Sequence, residues 1–87
     1  MTKATSSHIH RRSDVYPKRG KNEYGNVKFA DPVNNKYPID TPKHIRAAWS
    51  YINHKDNAAK YDKSEAAKIK RRIRTAAKKA GIEISTN

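Results

Sequence analysis

The chain has 87 residues, with 20 Lys or Arg against 8 Asp or Glu, so its formal net charge at pH 7 is +12. A chain this short forms at most one small domain with a modest core. The absence of cysteine excludes both a disulfide framework and a thiolate zinc site, and the apolar runs are too short to cross a membrane. The excess positive charge predicts attraction to polyanions such as nucleic acids and acidic protein surfaces.

Residues 1–24 are predicted to form a disordered basic arm. Polar and basic residues dominate this segment, and its few apolar residues follow neither the strand nor the helix period. The segment also lacks the apolar core of a secretory signal, so we expect a cytoplasmic protein. The arm cations expected to contact a partner are Arg11, Arg12, Lys18, Arg19 and Lys21.

A β-hairpin is predicted next, with strands over residues 26–30 and 36–39. Val27 and Phe29 are separated by a lysine, and the following sequence, DPVNN, is typical of a turn because Asn tolerates left-handed geometry. Pro38 cannot donate to a ladder, so the second strand is either short or at an edge.

A first helix is predicted to begin at Thr41, a favourable N-cap that is followed by a proline at the first helical position. Four apolar residues recur at helical spacing: Ile45, Ala48, Trp49 and Ile52. Trp49 is expected at the centre of the core, and residues 53–57 end the helix. We expect Tyr51 and Tyr61 at the core or its edge rather than on a base-stacking surface.

A second helix is predicted over residues 62–81. Asp62 followed by Glu65 is typical of a capping box, and Gly81 suits the left-handed position after the last turn. The apolar arc of this helix comprises Ala66, Ile69, Ile73, Ala76, Ala77 and Ala80. The alternating sequence IEI then predicts a short terminal strand.

These elements predict an α+β fold: a small β-hairpin, a two-helix hairpin and a short C-terminal strand. The compact ββααβ domain is expected over residues 25–85, with the disordered basic arm over residues 1–24 preceding it.

The second helix carries the candidate binding surface, because residues 66–81 contain seven cations and no acid. Like charges at helical spacing repel, so a face of one sign indicates an anionic partner, although a merely solvated face is the alternative. Phosphate groups suit Lys and Arg, whose binding releases counterions. The cations opposite the apolar arc are Lys68, Arg71, Arg74, Lys78 and Lys79, and those flanking it are Lys70 and Arg72.

No motif predicts catalysis. The acids are scattered, and no Ser-His-Asp order, P-loop or dinucleotide fingerprint is present. The four histidines lack nearby cysteines or paired carboxylates, so we expect no metal and no cofactor. We therefore expect a protein that is not an enzyme. The sequence does not determine the oligomeric state, for which a monomer is the default.

Three short stretches carry a resemblance to a known family: Tyr37-Pro38-Ile39, the helix start from His44 to Ala48, and the basic helix end from Lys78 to Ile82. Over about residues 27–84 the chain resembles a small uncharacterised domain family, of unknown function, found in bacterial and phage proteins. The resemblance implies one shared fold and a phage or mobile-element setting, in which small proteins commonly bind a host macromolecule. It implies no activity, ligand or site residue.

Two hypotheses for the function follow. The first is a non-enzymatic module that binds nucleic acid through the phosphate backbone, with low sequence specificity, using the cationic helix face and the arm. The second is a phage-type inhibitor or adaptor that docks on an acidic surface of a host macromolecular complex. A membrane surface is not expected, since the apolar arc is mostly alanine. Composition does not distinguish between the two hypotheses. It also does not distinguish DNA from RNA as the ligand.

Overall fold

The computed structural model describes residues 9–84, which contain four helices and one two-stranded antiparallel sheet. In chain order the elements are α1 (Pro17–Tyr24), β1 (Phe29–Asp31), β2 (Lys36–Pro38), α2 (Pro42–Ile52), α3 (Lys55–Ala58) and α4 (Lys63–Ala80). α2 packs against α4, while β2 contacts α2 and β1 contacts α4. The predicted α+β class, with a hairpin and two main helices, is confirmed.

The two main helices begin and end where their capping residues predict. The Thr41 hydroxyl accepts the backbone N–H of His44 at 3.1 Å and caps α2. At the start of α4, Glu65 Oε1 accepts the backbone N–H of Asp62 at 2.9 Å, completing the capping box. Gly81 ends α4 in the left-handed conformation, with φ 71°.

The core lies between α2, α4 and the hairpin. Its buried helical residues are Ile45, Ala48, Trp49 and Ile52 from α2 and Ile69, Ile73 and Ala77 from α4. Ala30, Tyr37 and Tyr61 complete it from the hairpin and the loop before α4. The predicted core positions of Trp49 and Tyr61 are therefore confirmed, whereas the prediction for Tyr51 is wrong because its side chain is exposed.

The strands are shorter than predicted. Phe29 pairs with Pro38 and Asp31 pairs with Lys36. The backbone is left-handed at Asn35 (φ 53°) in the turn and again at Tyr37 (φ 64°), which interrupts the regular extended geometry of β2.

The predicted C-terminal strand is wrong, because residues 82–84 are not paired with the sheet. The backbone N–H of Ile82 instead donates to the carbonyl of Ala77 at 3.0 Å and closes the end of α4. Ile82 and Ile84 are half-buried against the core without joining the sheet.

Residues 9–24 differ most from the prediction, which made them part of a disordered arm; residues 1–8 of that arm lie outside the described residues. Ile9 is 1% exposed and belongs to the hydrophobic core, and α1 occupies residues that show no apolar period. Within the described residues, packing therefore already includes Ile9 and does not start only at residue 25. A single buried isoleucine produces no period, which is why the sequence pattern did not indicate it.

Backbone hydrogen bonds to distant side chains hold residues 9–14, which we call the N-terminal segment. Asn34 Oδ1 accepts the N–H of Arg12 at 2.7 Å, and Asn34 Nδ2 donates to the carbonyl of His10 at 3.1 Å. Glu65 Oε2 accepts the N–H of His10 at 2.8 Å. The segment is thereby tied both to the hairpin turn and to the start of α4.

A buried phenol reinforces this attachment. The Tyr61 hydroxyl donates to Asp31 Oδ2 at 2.6 Å and accepts from Arg12 Nη1 at 3.2 Å. Burial, together with the hydrogen bond to Asp31, raises the pKa of Tyr61 well above its usual range, so the phenol stays protonated.

α1 has no buried residue. It docks through the ring of Tyr24 at its end and through a close backbone approach at Gly20. A Cβ atom added at Gly20 would lie 2.2 Å from the Asn35 carbonyl oxygen. Asn35 Nδ2 also donates to the carbonyl of Pro17 at 2.9 Å. The glycine is required here because any side chain would collide with the hairpin turn.

Candidate nucleic-acid interface

A groove of about 900 Å³ lies between the hairpin, the start of α2 and the C-terminal half of α4. Its lining includes the apolar residues Val27, Phe29, Ile39 and Ile45. We call it the basic groove because it is also lined by five cations: Lys21, Lys28, Arg71, Arg72 and Lys79.

The basic groove brings together cations that the sequence assigned to separate parts of the chain. Lys21 comes from the predicted arm, whereas Arg71, Arg72 and Lys79 come from the predicted helix face. Lys28 was not among the predicted binding residues. Its position within the predicted hairpin, between two apolar residues, was the available indication.

The charge in the groove is strongly one-sided. Asp40 is the one acid in its lining. Its Oδ1 lies 2.6 Å from Nδ1 of His44, a residue that is not one of the five groove cations. The cations Lys21, Lys28, Arg71 and Lys79 are all exposed. The groove therefore presents positive charge beside an apolar surface.

Arg72 has a structural contact as well as a place in the groove. It is half-buried, and its Nη1 donates to the carbonyl of Ala30 at 2.9 Å, joining α4 to β1. A guanidinium carries five N–H donors, so this hydrogen bond leaves others to contact an anion.

The other predicted α4 cations do not line the groove. Arg74 is exposed, and its guanidinium carbon lies 5.8 Å from the centre of the Trp49 ring. Lys78 is exposed, and Lys68 and Lys70 are half-buried. The predicted cationic face is thus divided between residues that line the groove and residues that lie beside it.

The arm cations also separate into two kinds. Arg11, Lys18 and Arg19 are exposed. Arg12, by contrast, has a side chain only 9% exposed and donates to Asp14 from Nε at 2.9 Å and from Nη2 at 2.5 Å. These hydrogen bonds raise the pKa of Arg12 and lower the pKa of Asp14 to about 2. Arg12 therefore stabilises the folded structure through contacts to Asp14 and Tyr61.

One group of potential metal-ligand atoms occurs among the described residues. Atoms of His10, Asp62 and Glu65 lie within 4.8 Å of one another, which corrects the expectation that the histidines lie apart from carboxylates. Burial opposes the ionisation of Glu65, but hydrogen bonds from the His10 and Asp62 backbones lower its pKa overall. Both Glu65 oxygens thus serve to attach the N-terminal segment and to cap α4.

Within residues 9–84, every helix lacks the combination of length and apolar character needed to cross a membrane.

Comparison with known families places the chain in one of them. Residues 5–87 match the family of unknown function DUF6582, and the chain belongs to this family. The match confirms the resemblance to a small uncharacterised domain family, and it extends that resemblance from residues 27–84 into the basic arm. Neither a curated protein nor a solved structure matches the chain. A bacterial or phage origin stays a prediction.

Proposed function

We propose that this member of the family is a non-enzymatic module that binds nucleic acid in the basic groove, through contacts to the phosphate backbone. The observation that carries the proposal is that four exposed cations from separate parts of the chain line one groove: Lys21, Lys28, Arg71 and Lys79. The proposal includes a cytoplasmic location in a bacterial or phage-infected cell.

Electrostatics supports an anionic occupant. Cations that line one groove repel each other, and the single acid in the lining is engaged by His44. A phosphate backbone relieves the repulsion and gains the free energy of counterion release. Arg71 can grip a phosphate with two parallel hydrogen bonds, whereas lysines act as point charges. Because phosphates carry no sequence information, the module has low sequence specificity.

The salt dependence of binding tests the proposal. We expect a fluorescently labelled oligonucleotide to bind with a slope of log K against log salt of about −4.5 for a duplex or about −3.5 for a single strand, if the five groove cations each neutralise one phosphate. The slope is measured by fluorescence anisotropy over a salt series. A slope shallower than about −1 contradicts phosphate binding by the groove.

A pair of matched double variants locates the site. The first removes Arg71 and Lys79 by substitution with alanine, and the second removes Lys55 and Lys63, which are exposed and outside the groove lining. Both lower the net charge equally. We expect the groove variant to weaken binding and to make the salt slope shallower by about 2, since each lost phosphate contact changes it by about 1. Equal loss in both variants would show that charge alone, and not the groove, determines binding.

The acidic-protein hypothesis is an outcome of the same assay. Poly-glutamate, added at the same salt concentration, offers carboxylates without phosphates or bases. We expect it to compete weakly, because carboxylates on a flexible chain lack the charge density of a phosphate backbone. Tight poly-glutamate binding with no oligonucleotide binding would instead favour an adaptor or inhibitor that docks on an acidic host surface.

A further inference from the structure

A second groove, of about 500 Å³, lies on the other side of α1, between α1, β2 and α2. Its lining contains an unusual share of aromatic rings, and we call it the aromatic groove: Tyr16, Tyr24, Tyr37, His44 and Tyr51. Gly20 and Asn35 also line it, and Asn35 lines the basic groove too, so the two grooves meet where α1 contacts the hairpin turn.

Three of these rings pack against other aromatic rings of the protein. Tyr24 packs edge-on against His44, with ring centres 5.3 Å apart, and against Phe29 at 6.2 Å. Tyr37 is buried and packs against Tyr61 at 6.4 Å. These contacts hold the three side chains in place within the fold.

Tyr16 and Tyr51 are different, because they are the large hydrophobic side chains that the described residues leave exposed. Tyr16 is 67% exposed and Tyr51 is 58% exposed. They come from separate elements, the residue before α1 and the outer part of α2, and yet they line the same groove. An exposed aromatic pair at one groove offers flat apolar faces to a flat ligand.

The lining of this groove carries two cations, Arg19 and half-buried Lys36, and two acids, Asp14 and Glu23. Arg19 is the exposed cation that can contact a phosphate. Arg19 is exposed, lines the groove, and its guanidinium carbon lies 5.9 Å from the centre of the Tyr16 ring. Of the two acids in the lining, Asp14 is engaged by Arg12 and Lys60, which leaves Glu23 beside Tyr24. On the opposite side of α1, Lys21 lines the basic groove.

We propose that the nucleic acid bound by this protein is single-stranded, with bases stacked on Tyr16 and Tyr51 while its phosphates contact Arg19 and the basic groove. This inference rests on the proposed function and names the form of its ligand. A duplex cannot use the aromatic groove, because its base faces are already stacked on one another. Aromatic faces beside a cationic track are the combination that single strands require.

Three probes of equal length separate stacking from phosphate contact. They are a labelled oligothymidylate of about 16 nucleotides, at the upper end of site sizes for small single-strand binders, the same strand with abasic sites throughout, and a duplex. The abasic strand keeps every phosphate and lacks every base. We expect the order of affinity to be oligothymidylate, then duplex and abasic strand. Oligouridylate is expected to bind like oligothymidylate, because neither stacking nor phosphate contact involves the 2′-hydroxyl.

Two conservative series test the tyrosines themselves. Tyr16→Leu and Tyr51→Leu should each weaken oligothymidylate binding by roughly 5- to 150-fold, the loss that follows removal of one base–aromatic stack. The same variants should leave abasic-strand binding unchanged. Tyr16→Phe and Tyr51→Phe keep the aromatic face and should bind like the parent. Because both tyrosines are exposed, all four variants should keep the parent's melting temperature.

The possible failures are distinguishable. If the abasic strand binds as tightly as oligothymidylate and the leucine variants bind normally, the stacking inference is overturned while phosphate binding stands. If the duplex binds more tightly than the single strand, the inference is overturned in the same way. If no oligonucleotide binds near physiological salt, the proposed function and this inference both fail.

Discussion

α4 and the N-terminal segment are both basic and both ordered, but they are held in place by different forces. α4 buries a periodic stripe that includes Ile69, Ile73 and Ala77 against α2, so its packing follows from its own spacing. The N-terminal segment contributes only Ile9 to the hydrophobic core and depends otherwise on hydrogen bonds to Asn34, to Tyr61 and to the start of α4. The comparison teaches that a basic sequence becomes ordered either through its own pattern or through distant polar partners.

The largest expected effect is loss of a core isoleucine. Ile73→Ala should destabilise the protein by about 2–5 kcal/mol, because it removes fully buried methyl groups and leaves a cavity. Ile9→Ala should cost a comparable amount, since Ile9 is equally buried. Urea unfolding followed by the fluorescence of buried Trp49 measures both free energies.

A control lies in comparing the two isoleucines directly. If Ile9→Ala leaves the unfolding free energy unchanged while Ile73→Ala lowers it, the N-terminal segment is not part of the core. The two regions would then differ in order and not only in the forces that hold them.

A smaller effect is expected from the polar attachment. Asn34→Ala removes the acceptor for the Arg12 N–H and the donor to the His10 carbonyl. Leaving buried polar groups unpaired costs about 1–3 kcal/mol, and we expect the lower end of this range because both hydrogen bonds are part-buried. Asn26→Ala, at an exposed position, is the matched control and should have little effect. The prediction is contradicted if the two variants unfold at the same urea concentration.

This difference in forces explains which elements could be predicted from the sequence and which could not. α2 and α4, with the Thr41 cap, the Asp62–Glu65 capping box and the Gly81 stop, follow from local spacing and were predicted correctly. The N-terminal segment was not, because Asn34 and Glu65 are far along the chain from the backbone groups they bind. Nothing within the segment itself indicates those partners.

The candidate site was predictable to a similar extent. The concentration of positive charge on α4 was evident, and so was the contribution of Lys21. The inclusion of Lys28 and the separation of Arg12 from the other arm cations depend on tertiary contacts. Tyr51 was expected at the core or its edge, but its helix position places it outside the apolar stripe.

Gly20 tests whether α1 is docked. A free α1 and a docked α1 predict opposite signs for the change in unfolding free energy when this glycine is replaced by alanine. In a free α1, Gly20→Ala should stabilise the helix by about 1 kcal/mol. In the docked α1, the added Cβ collides with the Asn35 carbonyl, and overpacking of this kind costs about 1–3 kcal/mol. We expect a net loss on the order of 1 kcal/mol by urea unfolding. Asn22→Ala, at an exposed position of the same helix, should stabilise slightly, and stabilisation by both variants would show that α1 is not docked.

The smallest effect is the pH dependence of the ion pair between Arg12 and Asp14. The hydrogen bond from Arg12 lowers the pKa of Asp14 from 3.8 to about 2 in the folded protein. A carboxylate with a lowered folded-state pKa adds stability above its unfolded pKa and loses it as the pH falls through the folded value. The melting temperature of Asp14→Asn should therefore lie below that of the parent at pH 5–7, and the two should converge between about pH 4 and about pH 2.

The Asp14 effect is small because the carboxylate is half-exposed, and exposed pairs contribute little. Asp56→Asn is the control, since Asp56 makes no ion pair within the described residues and its variant should show no such convergence. A gap between Asp14→Asn and the parent that stays constant from pH 7 to pH 2 would mean that Asp14 acts without its charge. Convergence shown by Asp14→Asn alone would establish that the charge of Asp14, which is paired with Arg12 inside the segment and with Lys60 outside it, adds to the stability that Ile9 and Asn34 provide.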